Sequence, residues 1–462
     1  MIHFEPNQSN LFIPDTLSTY KKNLDTTFIW GVSTSAYQTE GGYNVDGKGP
    51  SIWDTFTNKD THKIRDKKNG NIACDFYSRY EEDLKLMHAL GINHFRFSIS
   101  WARILPYGIG EINPAGVAFY DRLIDACLKY NITPWITLYH WDLPQALENK
   151  GGWTNREVVN WFTSYVSICV KYFGDRVSNW MVMNEPMVFV GAGYFLGIHA
   201  PGRRGMKNFL PAIHHAVLSM CEGARAIKSI QPGANVGTTF SCSHIEPYRN
   251  IDKDVLAAHR MDALLNRLFI EPTLGMGYPT DVLKPLQPIH QYILQGDEYK
   301  MQFNFDFIGV QNYTREFVKH SWLTPYLKAR LVSAPDRNVQ HTLMNWEVYP
   351  QSIYHMIKKF DAYPGIKKIL ITENGAAFED THHERIIADH LRTIFLQDHI
   401  EQVLKAKKEG AKVEGYFVWT WTDNFEWAEG FYPRFGLIYT DFNTQKRIVK
   451  ESGAWYGNFI RG

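Results

Sequence analysis

Two glutamates lie where apolar segments of the sequence end, in positions suited to acid–base chemistry. Glu185 closes the run WMVMNE, and Pro186 after it favours extended backbone at the glutamate. Glu373 closes the run KKILITE, and Asn374-Gly375 predicts a turn directly after it. A pair of carboxyl groups can cleave a glycosidic bond, with retention at a separation of about 5 Å and inversion at about 6.5–9.5 Å. Taken singly, each glutamate more often caps a helix or forms a surface ion pair.

Polar groups beside indole rings follow other apolar segments of the chain. The set comprises Gln38, His140, Trp141, Trp419, Glu426 and Trp427. A hexose needs this combination, because its hydroxyl groups require hydrogen-bond partners and its C–H face packs on a flat apolar ring. The set therefore predicts a sugar site around the two glutamates.

Eight short apolar segments alternate with longer segments of helical periodicity. The predicted strands are 28–33, 92–99, 135–139, 180–184, 236–240, 305–310, 369–372 and 416–421. The periodicity is clearest from Trp161 to Phe173, before Gly174, and from Phe76 to Leu90, before Gly91. Eight alternations without a linker favour a closed (β/α)8 TIM barrel over an open doubly wound sheet, as one catalytic domain over residues 1–462.

Three long segments lack a clear period and are predicted to be loops over the mouth of the barrel. They lie near residues 35–75, 186–210 and 313–345. Barrels of this kind place their sites at the carboxyl ends of the strands, so these loops are expected to surround the two glutamates.

The composition excludes several classes of partner. The 462 residues include 49 basic and 48 acidic ones, and a formal charge of +1 favours neither nucleic acid nor a membrane surface. The 15% of aromatic residues fits stacking surfaces for a ligand or an aromatic-rich core. Neither a signal-like start nor a run of about 20 apolar residues occurs, so we expect a soluble, cytoplasmic protein.

The cysteines and the glycosylation sequons agree with that location. Five scattered cysteines without metal or disulfide spacing predict reduced, mostly buried thiols. Sequons occur at Asn7, Asn131 and Asn312. The last is expected to face the substrate pocket, where a glycan would block entry, which weakens a secretory interpretation.

Six long motifs of the chain resemble those of glycoside hydrolase family 1, the β-glucosidase family. They are FIWGVSTSAYQTEGG, FRFSISWARILP, LYHWDLPQAL, NEP, ITENG and DNFEWAEGFYPRFGLIYTD, in the order that the family has them. The resemblance covers nearly the whole chain and implies a retaining β-glycosidase with two catalytic glutamates.

The resemblance also implies a role for each site residue. Glu185 is the expected acid/base and Glu373 the expected nucleophile, which Arg96 and Tyr313 hold and polarise. The opposite charge of Arg96 is expected to keep Glu373 ionised, and Glu185 is expected to have the higher pKa. The residues assigned to substrate binding are Gln38, His140, Trp141, Asn184, Trp346, Trp419, Glu426, Trp427 and Phe435, with Trp419 stacked beneath the sugar.

Two positions depart from the family pattern. Gln311 and Asn312 stand where the family usually has asparagine and a first tyrosine, before the retained Tyr313. Their roles as ligands are left open, with altered tolerance on the leaving-group side as one consequence. Val182 replaces a common threonine, which we interpret as a packing change.

Two histidine pairs are assigned to structure rather than chemistry. We interpret His382-His383, in the polar stretch FEDTHHER, as part of a solvated loop rather than a metal site. His214-His215, in the helix-like run AIHHAVLSM, indicates helix packing. Neither a phosphate-binding glycine loop nor a dinucleotide fingerprint is present, so we expect no metal and no cofactor.

The expected substrate is a small β-glycoside or short oligosaccharide with a terminal glucose, and galactose or fucose are the alternatives. Glu426-Trp427 stands where related 6-phosphosugar enzymes carry a cationic patch, which predicts an unphosphorylated sugar. The aglycone is expected near Trp346, Trp322 and Phe189. Transglycosylation at the same site and a catalytically silent sugar-binding role are the alternative functions, and the oligomeric state is left open.

Overall fold

Eight parallel strands form a closed barrel in the computed structural model, which describes residues 12–382 and 387–462. The strands are β1 Ile29–Ser33, β2 His94–Ser98, β3 Thr133–Thr137, β4 Asn179–Asn184, β5 Asn235–Ser241, β6 Phe307–Gln311, β7 Ile369–Asn374 and β8 Val413–Trp419. Each strand pairs with the next one along the chain, and β8 pairs with β1. All eight predicted strands are confirmed, with ends that shift by at most three residues. Nearly all of their residues are buried, because both faces of each strand are covered.

One long helix follows each strand along the chain. These helices are α1 Phe76–Ala89, α2 Pro114–Lys129, α3 Val158–Phe173, α4 Met206–Ile230, α5 Asp252–Asp262, α6 Gln351–Asp361, α7 His390–Lys408 and α8 Glu451–Arg461. The two helices with the clearest periodicity, α1 and α3, are confirmed. On α3, Phe162, Tyr165, Val166 and Cys169 form the buried face at helical spacing.

The interior of the barrel is apolar at one level and polar toward the carboxyl ends of the strands. Trp135, Met181, Phe307, Leu370 and Phe417 form one buried cluster. Two glycines make room for its rings: a Cβ on Gly31 would lie 2.5 Å from Phe417, and one on Gly237 would lie 2.4 Å from Phe307. This apolar plug closes the barrel and forms a floor on which polar side chains can be held in fixed positions.

The segments predicted to be loops over the mouth contain regular structure, so that prediction is wrong in detail. Residues 186–210 hold a helix at Pro186–Val190 and a π-helix at Gly191–Leu196. Strands Arg315–His320 and Ala329–Val332 form a small sheet with His244–Pro247. Buried backbone groups require hydrogen-bond partners, and these short helices and strands provide such partners. Each element is only a few residues long, so its side chains show no recognisable periodicity in the sequence.

The remaining elements are short. The further helical segments are Asp15–Lys22, Ala36–Thr39, Ile52–Lys59, Thr61–Lys63, Arg65–Lys67, Trp101–Ile104, Gln145–Glu148, Gly152–Thr154, Ala263–Arg267, Ile270–Thr273, Lys284–Tyr292, Asp297–Lys300, Pro335–Arg337 and Trp427–Glu429. Two two-stranded sheets pair Thr381–His382 with Ile387–Ala388 and Ile438–Thr440 with Arg447–Val449. Within the described ranges, the helices are too short or too polar to cross a membrane.

Several predictions from the sequence concern individual buried residues. The five cysteines are free and buried, as predicted. His214 and His215 both lie on α4 and pack in the interior, where His214 bonds Tyr278 and Asp297 and His215 bonds the Trp153 carbonyl, each at 2.9 Å. Val182 is buried in the main core, which agrees with a packing change.

The stretch around His382 differs from the predicted solvated loop. Asp380 is buried and forms ion pairs with Lys450 at 2.8 Å and Arg392 at 3.2 Å. The two buried cations compensate the charge of Asp380, so we assign this residue a structural role. Asn7, His383 and Glu384 lie outside the described residues. In the part of the chain that is described, no group of three or more His, Cys, Asp or Glu residues is placed to hold a metal ion.

Candidate active site

One cavity at the carboxyl ends of the barrel strands brings together most of the predicted site residues. Its volume is about 280 Å³. The predicted residues that line it are His140, Trp141, Glu185, Tyr313, Trp346, Glu373, Trp419, Glu426, Trp427 and Phe435. Arg96, Gln38 and Asn184 lie behind this wall and contact residues that line it. The cavity is a small, partly open space, and two buried glutamates, Glu185 and Glu373, line it.

Both carboxyl oxygens of Glu373, on β7, are held by hydrogen-bond donors. Oε1 accepts from Arg96 Nη1 at 2.5 Å and from Gln311 Nε2 at 2.8 Å. Oε2 accepts from Tyr313 Oη at 2.7 Å. Three donors from β2 and from the end of β6 therefore fix the orientation of this carboxylate, which suits it to act as an aimed nucleophile.

Glu185 follows β4 in a strained backbone conformation. Its φ is +46°, in the left-handed region, so the predicted extended conformation is wrong. Pro186 begins the helix Pro186–Val190 and disfavours right-handed backbone at the residue before it. Trp141 and Trp427 also have positive φ values, of 76° and 50°. Strain of this kind clusters at functional sites, where it aims side chains that regular strands would point elsewhere.

The two glutamates differ in the groups that control their protonation. Burial, followed by the negative charge of Glu373, raises the pKa of Glu185 well above its ordinary value. Burial also raises the pKa of Glu373, but the charge of Arg96 and hydrogen bonds from Arg96 and Tyr313 oppose that rise. Because Arg96 pairs directly with Glu373, ionisation is favoured at Glu373 and the proton of the pair is favoured on Glu185.

Asn184, the last residue of β4, forms hydrogen bonds with residues around both carboxyl groups and with Thr239 on β5. Its Oδ1 accepts from Arg96 Nη2, from Thr239 Oγ1 at 2.9 Å and from Gln311 Nε2 at 2.8 Å. Its Nδ2 lies 3.1 Å from Nε2 of His140 and 3.5 Å from Oε2 of Glu185. Arg96 thus contacts Glu373 and Asn184 together, so its guanidinium fixes both strand ends relative to each other.

Glu426 presents a second carboxyl group to the cavity. Gln38 Nε2 donates to its Oε2 at 3.3 Å, and Trp419 donates a further hydrogen bond. Burial, together with the charge of Glu373, raises the pKa of Glu426 to about 8. The raised pKa favours the protonated carboxyl, which can donate one hydrogen bond and accept another, whereas the ionised form only accepts.

His140 is a neutral hydrogen-bonding group. Burial and the charge of Arg96 lower its pKa well below the ordinary value. Its Nδ1 has no hydrogen-bond partner among the described residues. A buried nitrogen without a partner is costly, and a hydroxyl group of a bound sugar would satisfy it.

Aromatic rings build the walls of the cavity. The rings of Trp141 and Trp427 lie 4.4 Å apart, and His140 stacks on Trp419 at 6.0 Å and on Trp427 at 5.9 Å. Trp346 packs on Tyr313 at 5.0 Å on the opposite side. These rings give a sugar flat apolar contacts and limit access of water.

Three sequence predictions about this region are wrong. Trp322 is 70% exposed and packs on His320 outside the cavity, in the turn that follows the strand Arg315–His320. Phe189 is a core residue between Tyr139 and Trp153. Asn312 is buried and donates to two backbone carbonyls and to Ser352, so it supports the loop and does not face the pocket.

Six residues that line the cavity were not predicted from the sequence: Val188, His199, Ser241, Met344, Ala428 and Glu429. Ser241 ends β5 and forms a hydrogen bond with Glu185. Its strand-end position was the signal that could have found it. His199 and Met344 lie in connections between elements, where no local pattern marks them.

Gln311 is predicted to position the carboxylate of Glu373. Its side-chain nitrogen bonds both Glu373 and Asn184 at 2.8 Å, a span that the shorter asparagine would not reach. Loss of a charge-assisted hydrogen bond predicts that Gln311→Asn lowers kcat/KM about tenfold. Because a donor to the ionised carboxyl is lost, the acidic limb of the pH–rate profile is expected to move to higher pH.

Steady-state kinetics across pH would test this prediction. The same change at exposed Gln351 is the control and is expected to leave the profile unaltered. An unchanged kcat/KM and an unchanged acidic limb in Gln311→Asn would show that the contact does not support catalysis.

Comparisons with known proteins agree with this geometry. The family model described as Glycosyl hydrolase family 1 matches residues 20–462. The 1,4-beta-D-glucan glucohydrolase of Thermotoga neapolitana is 40% identical over 442 residues, which cover 95% of this chain and 98% of that relative. Beta-glucosidase 42 of Arabidopsis thaliana is 36% identical, over 99% of this chain and 97% of its own length. The solved family 1 β-glucosidase of Thermotoga maritima in complex with isofagomine lactam matches with a TM-score of 0.90 and 40% identity, over 95% of this chain and 98% of that one. The chain therefore belongs to glycosyl hydrolase family 1 and is an enzyme of the β-glucosidase type.

Proposed function

We propose that this enzyme hydrolyses terminal β-D-glucosides with retention, with Glu373 as the nucleophile and Glu185 as the acid/base. The observation that carries the proposal is the pair of buried glutamates in one cavity, of which only Glu373 is held by a guanidinium and a tyrosine. Retaining glycosidases require this division of roles between two carboxyl groups.

In the first step, a carboxylate oxygen of Glu373 attacks the anomeric carbon from the α face of the sugar. Glu185 transfers its proton to the glycosidic oxygen as the bond to the aglycone breaks, and the alcohol leaves. The products of this step are an α-linked glucosyl ester on Glu373 and an ionised Glu185.

In the second step, Glu185 takes a proton from a water molecule that attacks the same carbon from the β face. Burial and the charge of Glu373 raise the pKa of Glu185 in the free enzyme. Esterification removes that charge, so the pKa of Glu185 falls when the residue must act as a base. Release of β-glucose restores the carboxylate of Glu373 and the proton on Glu185.

The groups around the glycone favour an unphosphorylated sugar. Among the described residues, the cavity is lined by Glu185, Glu373, Glu426 and Glu429, and neither lysine nor arginine lines it. A dianionic phosphate would find no cation among these lining residues and would face the negative charge of Glu373. Glucose is ranked first, and galactose and fucose are alternatives that differ from it at one or two hydroxyl groups.

The test is hydrolysis of aryl β-D-glucoside, β-D-galactoside, β-D-fucoside and 6-phospho-β-D-glucoside, with the first-released anomer followed by NMR. We expect the β-anomer of glucose and little turnover of the phosphorylated substrate. First release of the α-anomer would contradict retention, and a preference for 6-phosphoglucoside would contradict the assigned glycone. If none of the four glycosides were hydrolysed, a sugar-binding role would be favoured. Transfer of the glycosyl group to an added alcohol in place of water would show transglycosylation at the same site.

A bell-shaped dependence of kcat/KM on pH is predicted between about pH 4 and pH 9. As pH falls through the pKa of Glu373, the nucleophile becomes protonated and activity is lost. As pH rises through the raised pKa of Glu185, the acid loses its proton and activity is lost again. Initial rates at low substrate concentration measure both limbs, and a flat profile over this range would contradict the assigned roles.

A further inference from the structure

A second cavity adjoins the catalytic one on the side of Glu185. Its volume is about 510 Å³, and Val188 and Ser241 line both cavities. Ser241 is also a hydrogen-bond partner of Glu185. The proposed acid delivers its proton to the leaving oxygen, so space next to this residue is space for the leaving group.

The walls of this second cavity, which we call the apolar cavity, come from six separate parts of the chain. They are the two helical segments after Glu185, the start of α4, the residues Ser241 to Ser243 at the end of β5, the pair Leu264 and Leu265, the residues on either side of Lys284, and the turn from Leu323 to Leu327. Phe195 packs on Phe209 at 5.1 Å and on Tyr326 at 6.1 Å, which ties three of these parts together. The shape of the cavity is therefore set by side-chain packing.

The apolar cavity is poorly suited to a second sugar. Within the described chain, its lining includes no aspartate, glutamate, lysine, arginine or histidine. Hydroxyl groups are confined to Ser241, Ser243, Thr324 and Tyr326. A sugar ring in this space would leave several of its hydroxyl groups without partners, whereas an alkyl or polycyclic group would not.

The mouth of the cavity exposes apolar side chains to solvent. Leu196 is 51% exposed, Leu323 is 91% exposed and Tyr326 is 51% exposed. Exposed apolar groups that continue into a pocket mark a binding surface. They also give a long chain a path for entry without passing through the glycone site.

We infer that the apolar cavity receives the aglycone of an amphipathic β-glucoside, in which the sugar is linked to a long or polycyclic apolar alcohol. The inference rests on the proposed function, because it places the leaving group beyond Glu185. Such an alcohol is a poor leaving group, so it depends on the proton that Glu185 supplies.

The test is kcat/KM for methyl, hexyl and octyl β-D-glucosides, used below their micelle concentrations, and for cellobiose. Burial of each added methylene is expected to raise kcat/KM about threefold to fourfold, and octyl glucoside is expected to exceed cellobiose. A flat series, or cellobiose as the better substrate, would overturn the inference.

Variants at the mouth of the apolar cavity test whether the dependence of kcat/KM on alkyl chain length arises there. The double change Leu196→Gln with Leu323→Gln affects exposed positions and is expected to lower the ratio of octyl to methyl kcat/KM about tenfold. Leu128→Gln, at a residue of α2 that is 43% exposed, is the matched control and is expected to keep the ratio. An equal ratio in the double variant and the wild type would contradict the assignment.

Binding separates this inference from the proposed function. Calorimetry with uncleaved methyl and octyl 1-thio-β-D-glucosides reports on the apolar cavity without turnover, and tighter binding of the octyl compound is expected. If no glucoside were hydrolysed, the proposed function would fail, and equal affinity for both thioglucosides would overturn the aglycone assignment by itself.

Discussion

Glu373→Gln is expected to lower kcat/KM for aryl β-D-glucosides by at least roughly 10⁴-fold. The amide cannot form the ester intermediate, although it fills the same space between Arg96, Gln311 and Tyr313. The loss should therefore be in kcat, with folding unchanged, as thermal unfolding would verify. The same change at exposed Glu111 is the control and should keep full activity.

Azide rescue identifies the face from which Glu373 acts. In Glu373→Ala, azide can enter the space vacated by the carboxylate and attack the α face of an activated aryl glucoside. The expected product is α-glucosyl azide, formed by a single displacement. Formation of the β-azide, or robust hydrolysis by Glu373→Gln without any added anion, would mean that another group is the nucleophile.

Glu185→Ala is expected to have the second-largest effect, and the size should depend on the leaving group. For alkyl glucosides, whose leaving oxygen needs a proton, kcat/KM should fall by roughly 10²–10⁴-fold. For 2,4-dinitrophenyl glucoside, which needs no proton, formation of the glucosyl enzyme should be nearly normal and its hydrolysis slow. A burst of dinitrophenol followed by a slow steady state would report this change.

Two further measurements define the role of Glu185. The basic limb of the pH–rate profile is expected to disappear in Glu185→Ala, because it reports ionisation of this carboxyl. Azide should attack the intermediate from the β face and give β-glucosyl azide, the opposite anomer to that from Glu373→Ala. An equal loss with all leaving groups and a retained basic limb would contradict the assignment.

The barrel follows from local patterns that are readable in the sequence. Continuous apolar runs such as 369–372 indicate strands covered on both faces, and the period of α3 indicates a helix with one buried side. Eight alternations admit few ways to bury both kinds of face. The strand-end positions of Glu185 and Glu373 then placed both residues at the same end of the barrel.

The resemblance to a known family identified most of the cavity wall. Ten predicted residues line the cavity, and Arg96, Gln38 and Asn184 contact them from behind. Their motifs are contiguous and long, so each residue could be placed by its position in a motif. Trp322 and Phe189 were predicted from residue type alone, and both lie outside the cavity.

Sequence alone determined the strands and the clearest helices, because apolar periodicity acts over a few residues, and the motifs that resemble the family singled out the two glutamates as the expected catalytic pair. Only the tertiary structure decided that Gln311 bonds Glu373 while Asn312 supports the loop, since neighbouring residues at a strand end point in different directions. The protonation order, which the resemblance implied, has its physical cause in the tertiary structure, because burial and the distance to Arg96 shift a pKa and neither is local. The apolar cavity depends on packing between segments more than 100 residues apart, such as Phe195 on Tyr326, which no local pattern encodes.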